Sequence, residues 1–102
     1  MTTPAYPKGD LRRMLAVLGA IQEAREATIL QVVTRTGLDK KTVSDLIAKA
    51  QEQAGVQITK SGPKYTIVDL GPVFKIAGCK LALTGALNAL ILSKLINQRK
   101  AS

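Results

Sequence analysis

Residues 28–49 read TILQVVTRTGLDKKTVSDLIAK, and their spacing decides the fold. Thr28 is a good helix N-cap, and Gln31 three residues on completes a capping-box pattern. Ile29, Val32 and Val33 then recur at i, i+3 and i+4, which makes one apolar stripe. Gly37 follows the last turn, where helices commonly end in the left-handed region that only glycine enters without a Cβ penalty. Asp39 can cap a second helix, its charge suiting the positive end of that helix. Val43, Leu46, Ile47 and Ala50 form the second stripe. Lys40, Lys41, Thr42, Ser44, Asp45 and Lys49 are left facing outward. A short helix held by its apolar back and showing Lys, Thr and Ser at its N-terminal end suits a DNA major groove.

Working outward toward the N-terminus, Asp10 caps a helix that runs to about Arg25. Leu11, Met14, Leu15, Leu18 and Ile21 follow helical spacing, with Arg12, Arg13, Gln22, Glu23 and Arg25 mostly on the other side. Residues 1–9, MTTPAYPKG, hold two prolines, a glycine and no apolar run. They read as a flexible arm rather than a signal peptide, which would need a continuous apolar segment. A cytoplasmic location is the default expectation.

Toward the C-terminus the period changes after Gly55. Val56, Ile58 and Lys60 alternate with Gln57 and Thr59, which is strand spacing. Ser61-Gly62-Pro63-Lys64 is a turn cluster, and Tyr65, Ile67 and Asp69 alternate with Thr66 and Val68 on the return. This predicts a hairpin tipped by Lys60 and Lys64, its apolar side (Val56, Ile58, Tyr65, Ile67) packing beside the second helix of the pair.

Three helices followed by a basic-tipped hairpin is the order of a winged helix-turn-helix. The run ATILQVVTRTGLDKKTVSDLI, followed by AGVQI and KYTI, resembles the winged-helix DNA-binding domains of bacterial regulators of the MarR and IclR type. It covers about Asp10 to Asp69, and the TGL turn and the TVS start of the third helix are its most specific parts. The resemblance implies an α+β fold of three helices plus a β-hairpin wing over residues 10–70, with double-stranded DNA as partner. It places Lys40, Lys41, Thr42, Ser44 and Asp45 at the groove and Lys49 at the flanking backbone. Thr28 and Gln31 would donate to a phosphate, as helix N-termini do, and Lys60 and Lys64 would reach the backbone or minor groove from the wing. Asp45 stands where such domains often carry Arg or Lys. A carboxylate there repels phosphate but accepts a hydrogen bond from cytosine N4, which favours sequence readout over non-specific binding.

The last third, residues 71–102, reads as a C-terminal helical segment. Gly71-Pro72 ends the wing strand, and Leu83, Leu87, Leu90, Ile91 and Leu95 share a broad stripe. Gly78 and Gly85 weaken the helix by about 1 kcal/mol each relative to Ala and mark a break or a close helix–helix approach. Lys80 and Lys94 bracket only thirteen residues, too few for a membrane span, which needs about 20 apolar ones. The apolar arc is wider than a small core covers, so we expect a homodimer seam there, placing two reading helices about one DNA turn apart.

Composition bounds the alternatives. The chain has 102 residues and a formal charge of +8, which points to a polyanionic partner. Residues 71–102 hold five bases and no acid, so over half the excess lies outside the reading helix pair. With three aromatics, Tyr6, Tyr65 and Phe74, the core must be aliphatic. One cysteine and no histidine exclude an internal disulfide and disfavour a zinc site or His-based catalysis. Cys79, in an apolar-rich segment, reads as a buried inert thiol. We expect no enzyme activity, no cofactor, no metal and no small-molecule ligand, and a small transcriptional regulator without an effector domain. Two other readings stay open: a winged-helix protein-interaction module, and a domain tethered to a membrane or larger assembly by its basic apolar C-terminal segment.

Overall fold

Three of the helices begin where a short polar side chain can take a backbone N–H. In the computed structural model, which describes residues 3–88, α1 spans Leu11–Ala24, and its N-cap Asp10 accepts from the Arg12 amide at 2.8 Å. Ala27–Thr28 form a short strand, β1, and α2 spans Ile29–Thr36. At its start Thr28 Oγ1 accepts from Gln31 N at 3.1 Å while Gln31 Oε1 accepts from Thr28 N at 2.8 Å, a complete capping box. α3 spans Lys40–Ala54, capped by Asp39, which accepts from Thr42 N at 3.3 Å. Strands β2 (Gln57–Ser61) and β3 (Lys64–Asp69) follow, then α4, Ile76–Thr84, which has no side-chain cap.

The chain is thus α+β, with a three-stranded antiparallel sheet in the order β1-β3-β2, an arrangement compatible with a winged helix. β1 pairs Ala27 with Tyr65 and Thr28 with Lys64. It has no sequence signature, because two residues cannot show a period. The β2–β3 loop is Gly62-Pro63, with Gly62 at φ +58°. A left-handed first residue followed by a proline fits a type II′ hairpin turn, whose twist matches that of the flanking strands. Gln57 opposes Asp69 but Ile58 opposes Ile67, so Val68 is a bulge residue, and it is exposed.

α1 is the hub of the core. Met14 and every residue from Ala16 to Ile21 are buried, because α1 packs on α2, α3 and β3 on one side and on α4 on the other. Leu11, expected within the apolar stripe, is instead exposed. One aliphatic cluster joins Val17 and Ile21 to Val32, Val43 and Ile47, with Ile29, Leu38, Tyr65 and Ile67 packed against it. A second joins Met14 and Leu18 to Ala50, Ala54, Val56, Leu70 and Cys79, with Phe74 at its edge. The hairpin side predicted to be apolar is the inner one.

Two expectations are corrected. Residues 3–9 are not a free arm: Tyr6 is 5% exposed, and its hydroxyl donates to Ala82 O at 2.6 Å. That carbonyl lies in the last turn of α4, where no intrahelical donor is left for it. Thr3 Oγ1 donates to Arg35 O at 3.1 Å, and Arg13 Nε donates to Tyr6 O at 2.9 Å. The second correction concerns Leu83, expected on a dimer seam. It is 2% exposed and buried in its own chain's core. α4 docks on α1 at Gly19, where Cys79 O and Leu83 approach too closely for any side chain. The close approach is therefore made by Gly19, while Gly78 faces open space and Gly85 ends the helix. Leu87 is half-buried; Leu90, Ile91 and Leu95 lie outside the described residues. Cys79 is fully buried, and burial pushes its thiol up to about 11. No helix among the described residues is long and apolar enough to cross a membrane.

Candidate nucleic-acid interface

The α2–α3 turn, Thr36-Gly37-Leu38, is held by the side chain of its first residue. Thr36 is buried; its hydroxyl donates to Val32 O at 2.7 Å and accepts from Leu38 N at 3.3 Å. Gly37 between them takes φ +77°, and its N–H donates to Val33 O at 2.8 Å. These bonds close α2 and set the direction in which α3 leaves. Val43, Ile47, Ala50 and Ala54 then fix the inner face of α3.

Among the described residues, nothing covers the outer face of α3. Lys40, Lys41, Ser44, Asp45 and Lys49 are exposed and Thr42 is half-exposed, so all six residues expected to face outward reach solvent. Helical spacing adds two more exposed residues to that face, Ala48 and Glu52. Glu52 is seven residues from Asp45, a separation that returns to the same side of a helix, so spacing alone could have found it. The consequence is a charge balance: Lys40, Lys41 and Lys49 are matched by Asp39, Asp45 and Glu52. Hydrogen bonds from Thr42, aided by the Lys41 charge, hold the Asp39 carboxyl below its ordinary range. Along α3 itself, counting its Asp39 cap, the formal charges therefore cancel.

On one side of α3 stands the hairpin, across a groove that Gln51 and Ile58 help line. Lys60 and Lys64 are both exposed near its tip, but the structure does not bring them together. Lys60 opposes Tyr65 and shares its face, the ammonium 5.4 Å from the ring centroid. Lys64 opposes Ser61 and emerges on the other face, 3.8 Å from Glu26. That pair is solvent-exposed on both sides and holds Lys64 only weakly. Thr28 and Gln31 sit at the edge where β1 meets Lys64. Their oxygens are used in the capping box, which leaves the threonine hydroxyl hydrogen and the glutamine amide NH2 as donors.

On the other side of α3 is a cleft of about 370 Å³ between α3 and the Lys8–Gly9 turn that precedes α1. Met14 and Leu46 contribute apolar surface, and Lys8, Arg13, Thr42, Asp45 and Lys49 contribute polar walls. Lys8 and Arg13 stand outside the interface set that the sequence pattern assembled, and the fold brings them beside Lys49. Forty-one positions separate Lys8 from Lys49, and no local spacing links them.

The chain has no significant match to any protein-family model, curated protein or solved structure. Its functional reading therefore rests on this geometry.

Proposed function

We propose that the protein binds double-stranded DNA as a winged helix-turn-helix, with α3 as the reading helix, and acts as a small transcriptional regulator. The observation that carries this reading is the outer face of α3. It is held from behind by the core, left bare among the described residues, and flanked by basic groups on both sides. DNA presents its bases between two rows of phosphates, so a reader needs hydrogen-bonding groups in the middle and cations at the edges. Lys40, Lys41, Thr42, Ser44 and Asp45 serve the first need; Lys49, Lys60 and Lys64 serve the second, with Thr28 and Gln31 as neutral donors. The resemblance of residues 10–69 to bacterial regulators of the MarR and IclR type supports the same reading.

A salt titration on duplex DNA tests it. Each lysine–phosphate contact steepens the slope of log K against log salt by about 0.9, so the three edge lysines set a slope of about 2.7 in magnitude, and about 4.5 where Lys40 and Lys41 meet phosphate as well. Lys41→Glu abolishes or greatly weakens binding. An affinity indifferent to salt and to Lys41→Glu removes the proposal.

The charge balance on α3 favours one second reading, a protein-docking face, because a protein partner tolerates alternating Lys and Asp/Glu better than a phosphate row does. Binding that survives high salt and discriminates among proteins rather than duplexes selects it. Two-fold pairing through Leu87, Leu90, Ile91 and Leu95 is a separate proposal, now without Leu83. An apparent mass in gel filtration unchanged by Ile91→Glu rejects it.

A further inference from the structure

We infer that the cleft between the Lys8–Gly9 turn and α3 receives a DNA backbone phosphate, making Lys8 and Arg13 part of the interface together with Lys49. This rests on the DNA reading above and names a three-cation site that the sequence pattern did not assemble. Three observations carry it.

The first is convergence. Lys8 comes from the N-terminal segment, Arg13 from the first turn of α1 and Lys49 from the middle of α3, and all three line one cleft. The N-terminal segment is pinned there through Tyr6, whose hydroxyl is bonded to Ala82 O and whose carbonyl is bonded to Arg13 Nε. The second bond uses only one of the five N–H donors of Arg13.

The second observation is net charge. Two acids share the cleft, Asp10 and Asp45. Asp10 is already neutralised by Arg12, with contacts of 2.7 and 2.9 Å to its two carboxylate oxygens. That leaves three cations facing the single charge of Asp45, in contrast to the balanced outer face of α3.

The third is placement. Thr42, Asp45, Lys49 and Gln53 lie along one flank of α3 and border the cleft, while Gln51 lies on the opposite flank beside β2. The cleft and the wing thus stand on either side of the reading helix, as the two phosphate rows stand on either side of a groove. Leu11 and Leu46 supply apolar surface against which a deoxyribose can rest while its phosphate meets the cations.

The test uses the full chain and a short duplex, with binding followed by fluorescence anisotropy from low to high salt. Lys8→Gln, Lys49→Gln and the double variant are compared with wild type, and Lys80→Gln on α4 serves as control. Lys8 is exposed, so its variant keeps the fold; a thermal melt verifies this. The expected result is a slope reduced by about 0.9 for each single variant and about 1.8 for the pair, with Lys80→Gln unchanged. If Lys41→Gln lowers the slope but Lys8→Gln does not, the cleft assignment is overturned and the DNA reading stands. If wild type binds no duplex at any salt, both fall.

Discussion

Gly19 and Gly78 sit in the two helices that pack against each other, α1 and α4, and the structure assigns their alanine substitutions opposite signs. A Cβ on Gly19 would stand 2.6 Å from Cys79 O, 3.0 Å from Cys79 C and 3.2 Å from Leu83 Cβ. The nearest of these is a backbone atom, so no rotamer change relieves it. The contact must lengthen by about 0.8 Å to reach the 3.4 Å of ordinary packing, which forces α4 outward. Overpacking of this kind costs about 1–3 kcal/mol, offset by about 1 kcal/mol of helix propensity. Gly78 meets nothing within 4 Å of an added Cβ, so Gly78→Ala keeps the propensity gain of up to about 1 kcal/mol. The two variants should therefore differ by about 2 kcal/mol. In a domain of this size that is roughly 8–16 °C in Tm. Urea unfolding followed by far-UV circular dichroism reads both. A Gly19→Ala protein as stable as Gly78→Ala would refute the docking of α4 on α1.

Two further predictions concern the N-terminal segment. Tyr6→Phe leaves the Ala82 carbonyl buried without its donor and should lower stability by about 1–3 kcal/mol, seen as a lower urea midpoint at unchanged slope; an unchanged midpoint would mean that residues 3–9 do not hold α4. Hydrogen bonds from Arg12, first from its side chain and then from its backbone, lower the Asp10 carboxyl from 3.8 to about 2. A depressed folded value means stability that is present above pH 3.8 and lost as the pH falls through 2. The stability gap between wild type and Asp10→Ala should accordingly be constant above about pH 5 and narrow below 4, and a gap independent of pH would show that Asp10 acts only as an uncharged cap.

What was legible in the sequence was what depends on near neighbours. Thr28 with Gln31, Asp39 before Lys40 and Gly37 after Thr36 are caps within four residues of the backbone they serve, and each is where the pattern placed it. The hairpin was legible through alternation and through Gly62-Pro63. What was hidden depends on distant pairs. β1 exists only because Tyr65 and Lys64 pair with it. Tyr6 sits in a proline-rich stretch that reads as an arm, and only its bond to Ala82, seventy-six positions away, shows otherwise. Leu83 was expected on a dimer seam because the helically spaced stripe on α1 shows a single apolar face. In fact Gly19 opens a second face of α1, bare enough for α4 to approach. A glycine in the middle of an aliphatic helix was the available signal, since it costs about 1 kcal/mol unless packing requires it. At the proposed interface, spacing found that the lysines of α3 and the wing are exposed, but neither the cleft position of Lys8 nor the opposition of Lys60 and Lys64 on two faces of the hairpin.

The central claim, that α3 reads duplex DNA, is tested most directly by selecting bound duplexes from a random pool with the full chain. The account predicts a short enriched motif whose preferred bases change in the Asp45→Asn variant, because an amide and a carboxylate satisfy different base edges. A pool that stays random after repeated selection, or a motif that Asp45→Asn and Lys41→Glu both leave intact, would contradict it.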